Sequence, residues 1–126
     1  MLNSRVRVWY CACLLLLSPV LSGQTSSTEV VGTVTDATGL VVGGAEMTLT
    51  RVDTGESRKT TSNNEGIYSF PLIEPGTYRV DVKMAGFKST TISSIVVQYQ
   101  QRARVDVTME VGQLNQVVEV QADARI

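Results

Sequence analysis

From residue 29 onward, apolar side chains recur at every second position in short runs. Val30, Gly32 and Val34 share one face of Glu29–Asp36, with Val31, Thr33 and Thr35 on the other. Ala45, Met47 and Leu49 alternate with Glu46, Thr48 and Thr50, and Tyr78, Val80 and Val82 alternate with Thr77, Arg79, Asp81 and Lys83. The cleanest run sets Val105, Val107, Met109 and Val111 against Arg104, Asp106, Thr108 and Glu110. A period of two marks a strand with one buried and one wet face. It predicts strands over 29–36, 45–52, 77–83 and 102–111, and a further one through Ile67-Tyr68-Ser69-Phe70 with both rings inward. Residues 58–62 are polar on both faces and read as an edge strand, where charge discourages aggregation. Residues 87–97 are rich in Thr, Ser, Ile and Val but have a less clear period. They read as a strand over 88–92 and a second, short one over 95–98. Val117–Gln121 is one more short strand.

Turn signals separate these runs. Asp36-Ala37-Thr38-Gly39, Asp53-Thr54-Gly55-Glu56 and Asn63-Asn64-Glu65-Gly66 all carry the residues turns select for, and Gly43-Gly44 closes a short loop. Asp36 ends a strand, and its side chain is expected to bond nearby backbone amides. Glu74-Pro75-Gly76-Thr77 reads as a type II turn, with Pro75 presetting φ and Gly76 supplying a positive φ. No window after residue 28 shows the i, i+3, i+4, i+7 spacing of an amphipathic helix. Short strands at regular spacing with Gly-rich turns predict an all-β, antiparallel β-sandwich. Its boundaries are 29–111. Residues 24–28 are a polar, flexible N-terminus, and 112–126 form a C-terminal linker that carries the short strand. A Cys…Trp…Cys signature is missing, which argues against a true immunoglobulin domain.

Residues 1–23 are set apart. Arg5 and Arg7 precede an apolar run over 10–17, followed by Pro19, Val20 and Leu21, and Ser22-Gly23-Gln24 offers small residues for cleavage. This is the pattern of a secretory signal peptide. The run is shorter than the ~20 apolar residues that span a bilayer, so no transmembrane segment is expected in the mature chain. Cys11 and Cys13, the only two cysteines, both lie in this segment. The mature chain therefore has no disulfide, although export permits one.

Composition removes several kinds of chemistry. The sequence has no histidine, which excludes Ser-His-Asp and Cys-His catalysis and the common zinc sites. Without Arg5 and Arg7, nine basic residues face twelve acidic ones, a net charge of −3 with no basic patch. Nucleic acid and anionic membrane surfaces are not expected partners. Asp81, Asp106, Glu110 and Glu46 fall on wet strand faces and read as solvated surface charge. Asn63-Asn64-Glu65 is too small a cluster for a calcium site, which needs convergent oxygen ligands. No catalytic, metal-ligating or cofactor-binding residue is assigned, no cofactor is expected, and ligand-binding residues are left open. About 100 mature residues bury ~60–70% of their unfolded surface, enough for one core.

The spaced positions Gly32-x-Val34-x-Asp36-x-x-Gly39, Gly44-Ala45-x-Met47-x-Leu49, Thr54-Gly55, Gly66-x-Tyr68-x-Phe70-x-x-Ile73-x-Pro75-Gly76-x-Tyr78-x-Val80 and Gly86-Phe87 resemble the carboxypeptidase regulatory-like domain. That family is similar in fold to transthyretin and Cna-B-type domains, which implies a Greek-key sandwich of about seven strands. With the leader before it and Val117-Val118-Glu119-Val120-Gln121-Ala122 after it, the arrangement resembles the N-terminal extension of Oar-like TonB-dependent outer-membrane receptors. Such receptors continue into a plug and barrel, and no run of lipid-facing alternating strands is present here. The resemblance to a peptidase-associated domain is to the appended, non-catalytic part. Cna-B-type domains can carry a Lys–Asn isopeptide bond, but Glu29–Asp36 has no lysine, and Lys59, Lys83 and Lys88 fall on wet or edge positions, so no crosslink is expected.

The resulting expectation is an exported, non-catalytic accessory module in the periplasm or at the periplasmic face of the outer membrane. Its partners would be envelope proteins, such as a receptor barrel or an energy-coupling protein. The alternatives are a carbohydrate-binding module and an accessory domain of a peptidase. Sugar sites stack on exposed aromatic faces, and only Tyr99 looks free, since Tyr68, Phe70 and Tyr78 fit core positions and Phe87 packs under a loop. Leu21-Ser22-Gly23 behind the apolar run places signal cleavage after Gly23. Mass spectrometry of exported protein should find Gln24 at its N-terminus; an intact Met1 on exported material would refute the leader.

Overall fold

A computed structural model describes residues 27–113 and 115–122 of the chain. The expected leader, residues 24–26 of the N-terminus and residues 123–126 of the linker lie outside the described residues. The described chain holds nine strands: β1 (Glu29–Asp36), β2 (Glu46–Arg51), β3 (Ser57–Thr61), β4 (Ile67–Phe70), β5 (Gly76–Lys83), β6 (Ser89–Val97), β7 (Arg102–Arg104), β8 (Val107–Met109) and β9 (Val117–Gln121). They form two sheets. In one, β1 lies between β4 and the consecutive strands β7 and β8; the other runs β3-β2-β5-β6-β9. The faces that alternate apolar residues meet between the sheets. Val30, Val34, Met47, Val80, Val82 and Met109 have no exposed surface, and Tyr68 and Phe70 pack edge to face with ring centroids 6.0 Å apart.

The all-β sandwich is as expected, and the departures in detail have local causes. The pairs β1–β7, β1–β8 and β6–β9 are parallel, so the ladders are mixed rather than wholly antiparallel. Nine strands replace about seven, partly because the run 102–111 divides at Val105 and Asp106. Both halves keep one register against β1, with Val31 opposite Arg104 and Val34 opposite Val107. Between them, Val105 N–H donates to the Val31 carbonyl at 2.8 Å and Asp106 Oδ1 accepts from Thr33 N–H at 3.0 Å. The side chain thus continues where the ladder stops.

The strands expected over 88–92 and 95–98 are one strand, β6, which starts at Ser89 and ends at Val97. Tyr78 pairs with Ile95 and Val80 with Ile92, so two steps along β5 match three along β6. This is a bulge, and Ser94 takes it up with φ of 60°. It puts Ile92 and Ile95, three residues apart, in the same core, which is why the sequence period blurs there. The turn before β5 also differs. Gly76 has no positive φ; the left-handed residue of that connection is Leu72, at φ 53°. Gly76 opens β5, and a Cβ there would stand 3.2 Å from Arg51 Nε. Glycine is used for the close approach of a guanidinium, not for a turn angle. β9, expected as a short strand in the linker, is the fifth strand of the larger sheet.

Gly32 explains how the smaller sheet closes. It pairs with Tyr68 across β1–β4. A Cβ at Gly32 would lie 1.9 Å from the Val105 carbonyl oxygen and 2.8 Å from the Tyr68 ring. The ring lies over the glycine and its hydroxyl donates to that same carbonyl at 2.5 Å. Burial, and to a lesser degree the nearby Asp106 charge, pushes the Tyr68 phenol well above its ordinary pKa, so it stays a donor.

Gly32→Ala should lower stability by about 1–3 kcal/mol or more, because backbone rather than a side-chain tip must move. Tyr68→Phe should lose about 1–3 kcal/mol by stranding a buried acceptor. Tyr78→Ala and Val107→Ala should lower the urea midpoint well beyond Arg79→Ala, since large core truncations lose ~2–5 kcal/mol and exposed ones usually ~0.5 or less. The reverse order would mean the strands present their other faces.

Candidate functional site

The turns consume most of the polar side chains that might suggest chemistry. Asp36 Oδ1 accepts from the Thr38 hydroxyl at 2.6 Å and from the Thr38 and Leu40 amides at 2.9 and 3.0 Å. The Thr38 hydroxyl bond is the main reason its carboxyl is held below the usual carboxylate range, with the turn amides adding to it and burial opposing. This is the backbone role expected of Asp36. Asn63 Oδ1 likewise accepts from the Glu65 and Ile67 amides, both at 3.0 Å. The Asn63-Asn64-Glu65 stretch is therefore a turn device. Among the described residues no group of three or more His, Cys, Asp or Glu could hold a metal ion.

The acidic residues of the wet faces are likewise engaged at the surface. Asp106 pairs with Arg104 at 3.1 Å, Glu110 with Lys88 at 3.4 Å and Glu46 with Lys59 at 3.2 Å. Asp81, half-buried, pairs with Arg79 and accepts from the Thr91 hydroxyl at 2.8 Å. No two of these carboxylates share a pair.

One end of the sandwich carries a cleft of about 170 Å³, with Arg51, Arg58, Leu72, Glu74 and Tyr78 among its walls. Both of its arginines are already engaged. Arg51 bonds Glu74 at 2.7 Å and Asp53 at 2.8 Å, and Glu74, then Asp53, raise its pKa further. Arg58 donates to the Pro71 and Leu72 carbonyls at 2.7 and 3.2 Å, and Tyr78 donates to the Glu74 carbonyl. These bonds hold Leu72 in its left-handed conformation, with 78% of its surface exposed. The cleft is the seam that ties the β4–β5 connection to β2 and β3. Sequence reasoning missed this network because Arg51 and Glu74 are 23 positions apart and no periodic pattern links them.

Tyr99 is 75% exposed and is the one aromatic among the exposed large apolar residues described. Its loop is fixed by Gln98 N–H to Gln101 Oε1 and by Gln100 N–H to Thr28 Oγ1. A single ring has no second face beside it to complete a sugar platform.

The buried Thr90 hydroxyl has no hydrogen-bond partner among the described residues, and backbone groups stay open along the edges of the five-stranded sheet. The β2–β3 ladder ends with Arg51 N–H to the Glu56 carbonyl and Ser62 N–H to the Ala45 carbonyl. Antiparallel alternation then turns Arg58 and Thr60 toward β2 and leaves the N–H and C=O of Ser57, Lys59 and Thr61 facing away. The expected edge strand at 58–62 is thus confirmed as β3. At the far edge, Ser89 N–H donates to the Gln116 carbonyl and Ala122 N–H to the Ser93 carbonyl. A parallel ladder with those ends leaves the N–H and C=O of Val117, Glu119 and Gln121 facing away. The composition of β9 gave no warning of this, because only its pairing shows which alternate residues are free.

No helix among the described residues is long and apolar enough to cross a membrane, which says nothing of β-barrels. No curated protein sequence matches the chain. Solved structures share its fold at low identity. The TIE protein of Bacillus anthracis is 16% identical with a TM-score of 0.56, over 68% of this chain and 16% of that one. A protein from Bacteroides uniformis described as carbohydrate binding is 21% identical with a TM-score of 0.54, over 64% and 40%. The pilus 2b backbone protein of group B streptococcus is 17% identical with a TM-score of 0.52, over 68% and 41%. The chain thus spans less than half the length of each. Residues 29–110, most of the sequence, match the carboxypeptidase regulatory-like domain family, and the chain belongs to it.

Proposed function

We propose that this domain is an exported, non-catalytic contact module that works at the periplasmic face of the outer membrane as the N-terminal extension of a TonB-dependent receptor. The observation that carries the contact reading is the pair of open edges of the five-stranded sheet, set on a body many of whose polar side chains are engaged in turns and surface ion pairs. Membership of a regulatory-like domain family supports a role beside another protein's activity. The order of leader, sandwich and Val117–Gln121 segment supports the receptor setting. Strand addition at an edge draws affinity from backbone hydrogen bonds, with neighbouring side chains selecting the partner.

A carbohydrate-binding reading ranks second. Its support is the fold shared with the Bacteroides uniformis protein, and Tyr99 is its weak point. An accessory role beside a peptidase ranks third. The reading frame beyond Ile126 separates these. Plug and barrel sequence there supports the receptor setting, a zinc-peptidase domain supports the third reading, and a glycan array tests the second.

The contact reading is tested with a photoreactive residue at Lys59, on the β3 edge, and a control at Asp106, on the other sheet. Illumination in the periplasm should capture an envelope protein from Lys59 and little from Asp106. Capture from neither position overturns the reading.

A further inference from the structure

The outer face of the five-stranded sheet is laid out in rows across its strands. One row runs Lys59, Thr48, Asp81, Thr91, Glu119, each residue opposite the next. It begins on the free edge of β3 with a base and ends on the free edge of β9 with an acid. Ser57 and Thr61 flank the base; Val117 and Gln121 flank the acid. We infer that the β3 edge of one copy receives the β9 edge of a second copy, so that copies add head to tail and extend one sheet. This names the occupant of the β3 edge and rests on the contact reading, but it needs no particular cellular setting.

Three features of the geometry agree. First, direction: β3 is antiparallel to β2, β2 to β5 and β5 to β6, while β9 is parallel to β6. A β9 strand laid beside β3 of the next copy is therefore antiparallel to it. Second, phase: placing Glu119 opposite Lys59 sets Val117 opposite Thr61 and Gln121 opposite Ser57. All six residues have outward backbone groups, so each pair exchanges two hydrogen bonds. Third, side: the side chains of these six residues lie on the same outer face, so the sheet continues without turning over.

Charge selects this arrangement over a closed dimer. Pairing β3 with β3 about Lys59, or β9 with β9 about Glu119, sets like charges directly opposite, which is destabilising. The head-to-tail pair sets opposite charges there. Both side chains are reachable: Lys59 holds only the exposed Glu46, and Glu119 only the Ser93 hydroxyl at 3.2 Å. β9 carries neither proline nor lysine, Glu119 is its one charge, and Val117 and Val120 are exposed. A heterologous contact of this kind does not close on itself, and sheet twist turns each copy relative to the last.

Sedimentation velocity of the protein expressed from the full 126-residue sequence tests this over a concentration series. The weight-average mass should rise with concentration and pass that of a dimer. Lys59→Glu and Glu119→Lys should each weaken association by about three- to tenfold, and the two together should restore it. Val117→Pro removes an outward N–H without touching the β6 ladder and should abolish association. Circular dichroism and urea midpoints confirm that each variant is folded. A monomer at every concentration, a mass that stops at dimer, or a double variant no better than the single ones overturns the inference. If the protein stays monomeric while Lys59 captures a different envelope protein, this inference fails and the contact reading stands.

Discussion

The Val105 carbonyl is the point on which the smaller sheet turns. It sits where the β1 ladder passes from β7 to β8, and its oxygen lies where a Cβ of Gly32 would be. An oxygen so close to the β1 backbone could not share the site with any side chain. With glycine there, the Tyr68 ring fills the space and its hydroxyl satisfies the oxygen. The Val105 amide is satisfied by Val31 and the Thr33 amide by Asp106. A break in a buried ladder would ordinarily strand polar groups. Here three residues from β1, β4 and the β7–β8 junction absorb it together, and Val30, Val34, Ala103 and Val107 keep their inward faces on both sides of the break.

How much of this was legible follows from the range of each signal. Strand faces were read correctly through most of each unbroken alternation, because burial on one side imposes a period of two on the sequence itself; the exception is Val111, which continues the run of Val105, Val107 and Met109 but lies past the end of β8 and is 76% exposed. Val30 and Val34, Met47 and Leu49, and Val80 and Val82 all face the core as the pattern required. The misreadings fall where geometry departs from that period. The Ser94 bulge inserts one residue and shifts the phase, so one strand reads as two. The division at Val105 and Asp106 leaves the alternation intact while interrupting the hydrogen bonds, so two strands read as one. Gly76 misled in another way: Pro-Gly carries a strong turn signal, but the glycine is there because Arg51, far away in sequence, lies against it.

The edges show a limit of a different kind. The polarity of β3 gave it away as an edge, since Arg58 and Lys59 would be out of place in a central strand. The sequence of β9 could equally have been a frayed tail. Its partner, β6, lies more than twenty residues earlier and runs parallel to it, and parallel pairing leaves no turn signal between the strands. Which backbone groups stay free depends on that register and is invisible in composition.

These two edges also bear on how a domain can be selective through its backbone. Backbone hydrogen bonds alone recognise any extended strand, so an open edge on its own is indiscriminate. Selectivity has to come from side chains that flank the free N–H and C=O groups. On β3 those are Ser57, Lys59 and Thr61, and on β9 they are Val117, Glu119 and Gln121, each set placed on the outer face by the same register that frees the backbone. Charge and backbone valence are therefore coupled: a change that flips the strand by one residue would hide the charge and the free groups together. A partner that matches one matches the other, and the three strands between the edges, β2, β5 and β6, hold the two sets in fixed relation, so whatever binds one edge meets a surface whose far side is already defined.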